Sequence, residues 1–240
     1  MTDAFRFHKE VLDFYEWIRP RGFEEKVRAG VVSRLEQALN RLEPGKLRPF
    51  GSYAAGLYLP TGDLDLVYLL NSRRPQPRTM RGLAPKLPFM QFQRYSAFLR
   101  SQDIAKPDTV KVIYHAKVPI IKFVERRSGL RIDLCFNNES GLGANETFQL
   151  WKGHHPIMPI IVAVVKHFLM IRGLNDVSTG GLGGFSTICL VASLIQHMPS
   201  LSRLSNLGQL LLEFFNLYGN LFNRNSIAIR LDPPGFINKV

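Results

Sequence analysis

Cysteine is scarce: 240 residues hold two, Cys135 and Cys189, far apart and each inside an apolar run. That argues against a disulfide framework or a cysteine zinc site, and suits a reducing compartment. Long apolar runs are also missing. The longest, from Pro156 to Ile171, is interrupted by Pro159, Lys166 and His167. A membrane span requires about 18 apolar residues, so no membrane partner is expected. The opening residues, MTDAFRFHKE, lack the basic-then-apolar layout of a secretory leader. No internal repeat or low-complexity tract appears. Acidic residues are few, 19 against 31 Lys and Arg, which leaves a net charge of +12. Hydrophobic residues make up 45%, enough for a packed core, and exclude disorder across the whole chain.

The positive charge is concentrated. Residues 1–72 are neutral and residues 132–240 carry +1, whereas residues 73–131 hold fourteen basic and three acidic side chains. Such a block attracts polyanions, because neutralised phosphates release condensed counterions. The plainer alternative is a solvated surface.

Apolar spacing predicts helices over Phe5–Ile18 and Phe23–Leu42, ended by Pro20 and by Pro44-Gly45. Leu47–Phe50 reads as a short strand leading into a Gly-Ser turn, and Leu64–Leu70 as a buried strand. Asn71–Pro88, with four prolines and several arginines, reads as a loop. A helix over Phe89–Gln102 follows, then strands over Thr109–His115, Val118–Glu125 and Leu130–Phe136. After Asn137-Asn138 the character turns helical: Pro156–Arg172, Phe185–His197 and Leu207–Phe222. Gly173 suits the residue beyond a helix end, and Asn206 suits an N-cap. The fold class expected is α+β. A catalytic domain over 44–141, a mixed sheet with helices, would be combined with a discontinuous helical domain formed by 1–43 and 142–240, with a cleft between them.

The residues with chemical promise lie between Phe50 and Asp65 and at Asp133. Asp63 and Asp65 are two apart at the start of a strand, so their carboxylates share one face. Like charges held together are costly unless a cation neutralises them, and oxygen-only ligands suit Mg²⁺ or Mn²⁺. Asp133 interrupts the apolar strand Leu130–Phe136, where an unpaired carboxylate is unfavourable. Three carboxylates on neighbouring strands could hold two metal ions for in-line phosphoryl transfer. Gly51-Ser52 precedes them in a tight turn whose N–H groups could hold phosphate oxygens. Taken singly these features are common. An Asp-x-Asp is often a solvated pair. A helix lysine such as Lys166 often lies with its stem along apolar surface, although Val164, Val165 and Phe168 surround it here. Asn145 could equally be a helix N-cap.

The ordered set is more specific. Gly51-Ser52, then Asp63-x-Asp65, then Asp133 among apolar residues resembles the signature of the DNA polymerase β-like nucleotidyltransferase superfamily. Val118-Pro119-Ile120-Ile121-Lys122-Phe123, Lys166-His167-Phe168-Leu169, Arg172-Gly173-Leu174-Asn175 and Thr179–Ser186 are similar to the non-canonical poly(A) polymerases, as is Asn206–Gly219. The Gly183-Gly184-Phe185-Ser186 form is most similar to the fungal nuclear branch, which works in the TRAMP surveillance complex.

That resemblance implies template-independent transfer of a nucleotide, AMP from ATP, to an RNA 3′ end. By resemblance Asp63 and Asp65 bind both metals. Asp133 binds the catalytic metal and draws the proton from the 3′ hydroxyl. Gly51, Ser52 and Lys166 reach the triphosphate, Asn145 the ribose, and Phe185 and Ser186 the base. Phe185 offers a stacking face without a hydroxyl. Implied partners are the RNA 3′ end, a zinc-knuckle RNA-binding protein, a DExH helicase and the exosome, in the nucleus. The family's base-reading loop follows Ile227–Leu231, and this chain is expected to be short there, with weakened base selectivity. Two alternatives stay open: a uridylyl- or mixed-nucleotide transferase, and a non-catalytic RNA-binding or scaffold subunit. Arg73, Arg74, Arg78 and Arg81 are the candidate RNA-binding residues of the basic block.

RNA affinity should therefore fall steeply with salt. Filter binding over a salt series should give a flatter log–log slope when Arg73, Arg74, Arg78 and Arg81 are all changed to Gln. An unchanged slope would mean that this segment does not touch the backbone.

Overall fold

The structure, a computed structural model, describes residues 3–71, 87–198 and 206–239. Its chain divides into two compact units. One comprises residues 20–55 and 60–145; the other comprises 1–19, 56–59 and 146–240. The four candidate RNA-binding arginines lie outside the described residues.

The first unit is built on a five-stranded mixed sheet of order β1-β2-β5-β4-β3. The strands are β1 (Gly45–Pro49), β2 (Leu64–Leu70), β3 (Lys111–Ile113), β4 (Ile120–Val124) and β5 (Arg131–Phe136). β2 and β5 pair in parallel, and the other neighbours are antiparallel. Period-two alternation sorts the side chains. Leu64, Leu66 and Tyr68 of β2, Ile121 and Phe123 of β4, and Ile132, Leu134 and Phe136 of β5 enter one buried cluster. Helix α2 (Gly22–Leu42) closes that cluster with Val31, Leu35 and Leu39, and α4 (Phe89–Ser101) does so with Phe92, Tyr95 and Leu99. The sequence pattern groups α2 with the helical part of the chain, but its contacts place it on the sheet. Asp65, Lys122 and Asp133 alternate with these core residues and so take the opposite face.

The Gly51-Ser52 turn is the first residues of a short helix, α3 (Gly51–Ala55). Helix α5 (Ser140–His154) was not expected. Its glycines at 141, 143 and 153 and its single buried residue, Phe148, leave no apolar stripe to read.

In the second unit, α1 (Asp3–Ile18) packs with α6 (Met158–Ile171) and α8 (Leu207–Asn216), and α6 packs with α7 (Gly184–His197). Gly208 lies so close to α1 that a Cβ there would collide with the Phe7 ring. His8 Nδ1 accepts the Leu207 N–H at 3.0 Å, and the Asn206 side chain caps the same helix by accepting from Gln209 N–H. Gly173 follows α6 with φ of 66°, which suits its expected place beyond the helix end. The helix expected over Leu207–Phe222 stops being α at Asn216 and continues as a π turn over Leu217–Leu221. A hairpin, β6 (Ile227–Leu231) with β7 (Pro234–Asn238), follows. No single helix among the described residues is long and apolar enough to cross a membrane.

The register of β5 is set by the turn that joins it to β4. Glu125 is 5% exposed. Its carboxylate accepts from the Ser128 N–H at 2.6 Å and the Ser128 hydroxyl at 2.5 Å, and faces Arg34 at 3.5 Å. Gly129, with φ of 73°, completes the reversal. Burial opposes the charge on Glu125, but the Ser128 hydrogen bonds and Arg34 outweigh it and hold the carboxyl below its ordinary range. A lowered pKa adds stability above the unfolded-state value and loses it as pH falls through the folded one. E125Q should therefore cost about 1–2 kcal/mol in urea unfolding at neutral pH. The gap from the parent should close in acid, below the ordinary carboxylate range; a gap independent of pH would contradict the assignment.

Candidate active site

The sheet face opposite the helices carries one row of charged side chains in register. Asp65 on β2 is paired with Asp133 on β5, Asp133 with Lys122 on β4, and Lys122 with Lys111 on β3. One step earlier along the strands, Arg131 opens β5 beside Asp63. Parallel pairing of β2 with β5 is what brings Asp65 next to Asp133, two residues that are 68 apart in sequence.

Each outer carboxylate has a basic partner. Lys122 Nζ meets Asp133 Oδ2 at 2.9 Å, and Arg131 Nε meets Asp63 Oδ1 at 2.5 Å. Burial pushes the Asp133 carboxyl up, its Lys122 hydrogen bond pulls it down, and Asp63 pushes it up again; the net direction is upward. Burial disfavours the Lys122 ammonium, but the Asp133 hydrogen bond and the charges of Asp133, Asp63 and Asp65 prevail and raise it. The Asp133 direction is set first by burial, and the Lys122 direction expresses the negative charge of the three aspartates around it.

Gly51 lies against the same group. With φ of 68°, it sits so close that a Cβ would meet Asp65 Oδ2 at 2.6 Å. Phe50 N–H donates to the Asp65 carbonyl at 3.0 Å, which fixes the turn to β2. Ser52, half-buried, starts the short helix beyond it. The expected turn and the three expected aspartates are thus gathered in the sheet unit. Asn145 is inside α5 rather than at its N-cap, and its Oδ1 is buried with no hydrogen-bond partner among the described residues.

The remaining candidates belong to the helical unit. Lys166 on α6 donates to the Leu57 carbonyl at 2.9 Å, and Gly184 leaves room for it: a Cβ there would be 3.2 Å from Nζ. Phe185 is 61% exposed and touches the buried Phe148 ring at 5.4 Å between centroids. Ser186 is exposed at the next position of α7.

Among the described residues, no three His, Cys, Asp or Glu side chains converge on one point as a metal-ligand set. Asp63 is turned to Arg131 and Asp133 to Lys122. The donor chemistry nonetheless fits a hard divalent ion: the site offers carboxylate oxygens only, two of them on directly paired strands, and it has drawn in cations of its own.

Sequence reasoning missed Arg28. It is 1% exposed in α2 and donates to the carbonyls of Pro60 at 3.0 Å and Gly62 at 2.8 Å, just before Asp63. Its signal was available: Arg28 lies three and seven residues before Val31 and Leu35, on the apolar stripe of the helix.

A family model described as poly(A) RNA polymerase, mitochondrial-like, central palm domain, matches residues 7–153, and one described as Cid1 family poly A polymerase matches residues 206–240. Poly(A) RNA polymerase protein 2 of Saccharomyces cerevisiae is 36% identical over 226 residues, covering 92% of this chain and 36% of that protein. A Drosophila melanogaster relative, the inactive non-canonical poly(A) RNA polymerase protein Trf4-2, is 34% identical over 223 residues, covering 90% of this chain and 51% of its own. The solved polymerase core of TRAMP, an RNA surveillance complex, matches with a TM-score of 0.81 and 35% identity, covering 97% of this chain and 70% of that one. The chain spans about a third of the length of the fungal relatives it matches.

Proposed function

The chain belongs to the poly(A) RNA polymerase family, and we propose that it transfers AMP from ATP to the 3′ end of an RNA without a template. The observation that carries this reading is the cross-strand pair of Asp65 and Asp133 with the Gly51 turn pressed against it.

In the proposed reaction the RNA 3′ oxygen attacks the α-phosphorus. A new O–P bond forms, the bond to the bridging oxygen breaks, and pyrophosphate leaves. Asp63 and Asp65 would hold two divalent ions, Mg²⁺ or Mn²⁺, with Asp133 a ligand of one. When bound, such ions neutralise the phosphate charge that builds up during transfer. Asp133 would take the proton of the 3′ hydroxyl. The N–H groups at Gly51 and Ser52 would orient the triphosphate, and Lys166 would add a charge to it. Asn145 would contact the ribose, and Phe185 and Ser186 the base. Positioning supplies most of the rate in such chemistry. Residues 44–141, joined by α2, would be the catalytic domain, and the helices of the second unit the central domain. By kinship with the TRAMP polymerase core, we assign the chain to RNA surveillance in the nucleus, alongside a zinc-knuckle RNA-binding protein, a DExH helicase and the exosome. A uridylyl- or mixed-nucleotide preference has the same mechanism, and incorporation of each of the four NTPs separates it from adenylation.

A second reading, a non-catalytic subunit, is favoured by the ion pairs that occupy Asp63 and Asp133 and by the relative named as inactive. One experiment decides between them. A labelled RNA, ATP and Mg²⁺ should give 3′ extension with the parent chain and none with the D63A/D65A double variant, whose thermal melting should remain cooperative. No extension by the parent would support the non-catalytic subunit, and extension by the double variant would remove these aspartates from the mechanism.

A further inference from the structure

Asp63 is reached through the four-residue loop Pro60-Thr61-Gly62-Asp63, and two arginines hold alternate members of it. Arg28, buried in α2, takes the carbonyls of Pro60 and Gly62. Arg131, at the start of β5, takes the Thr61 carbonyl through Nη2 at 2.7 Å and the Asp63 carboxylate through Nε. The two guanidiniums thus hold successive residues of the loop in turn, Arg28 the first and third and Arg131 the second and fourth. Their surroundings differ. Arg28 is 1% exposed and its guanidinium carbon is 5.7 Å from the Tyr53 ring centre, whereas the Arg131 side chain is 62% exposed.

We infer that this pair is a clamp with one fixed and one exchangeable jaw: Arg28 is a positioning residue that sets the loop, and Arg131 is a built-in counter-cation that holds Asp63 until a divalent ion takes its place. The inference rests on the proposed ligand role of Asp63, Asp65 and Asp133. A buried guanidinium that gave up its two carbonyl acceptors would leave donors of its own unmet in the interior, which is costly. An exposed guanidinium loses little on letting go, since water replaces its bonds. Arg131 also keeps the Thr61 carbonyl when it releases Asp63, so opening one contact need not unfold the loop. The clamp would thus spare the ion-free protein the repulsion among its aspartates, at the expense of competing with the metal.

The two jaws have opposite effects on metal affinity, which a purely structural role does not produce. The test is titration of the full chain with Mn²⁺, followed by the electron paramagnetic resonance signal of free ion well below the melting temperature. R131Q keeps a donor for the Thr61 carbonyl but removes the competing charge, and should bind Mn²⁺ about fivefold more tightly. R28K keeps the charge but not the two-pronged reach, and should bind Mn²⁺ more weakly and lower kcat for tailing with little change in KM for ATP. Unchanged or weaker binding in R131Q would overturn the exchangeable jaw, and parental Mn²⁺ affinity in folded R28K would overturn the fixed one. The D65N/D133N variant tests the premise separately. Loss of Mn²⁺ binding there supports the ligand set, whereas retained binding removes it and the clamp with it.

Discussion

Two carboxylates are forced together by backbone pairing. β2 and β5 run in parallel with Asp65 opposite Asp133, and neighbouring strands are about 4.8 Å apart. Two unit charges at about 5 Å repel by roughly 3 kcal/mol at the effective dielectric of a protein near its surface. The rest of the sheet face answers that repulsion. Lys122 comes from the next strand, Arg131 comes from the strand end, and Gly51 stays free of a side chain where one would collide with Asp65. The core on the other face makes the arrangement rigid: Leu64, Leu66, Ile132 and Leu134 are fully buried, so neither strand can slip by one residue without exchanging its apolar and acidic sets.

Much of this was legible before any coordinates. The apolar runs at Leu64–Leu70 and Leu130–Phe136 marked β2 and β5, and Asp63, Asp65 and Asp133 stood out as charges within or beside them. Sequence spacing cannot express which strands pair. That β5 lies between β2 and β4, parallel to one and antiparallel to the other, is a long-range choice made by packing on α2 and α4. Ion partners were hidden for the same reason. Lys122 and Arg131 acquire meaning only once Asp133 and Asp63 are known to lie beside them.

Two misses have local causes. Helix α5 carries three glycines and one buried side chain, so tertiary contacts rather than propensity hold it. The hairpin of β6 and β7 reverses at Asp232-Pro233, and β7 itself opens on Pro234-Gly235, residues that disfavour a strand in sequence. Placing α2 also required the fold: its apolar stripe announced a buried face, but only the contacts identify the sheet as what it covers.

The central claim is that the acidic row exists to hold a divalent ion, with the lysine and arginine as its substitutes. Anomalous diffraction from crystals of the full chain soaked in Mn²⁺ measures this directly. The expected result is an anomalous peak beside Asp63, Asp65 and Asp133, with Arg131 turned away from Asp63. A map with no peak at these carboxylates at saturating Mn²⁺, and with both ion pairs intact, would contradict it.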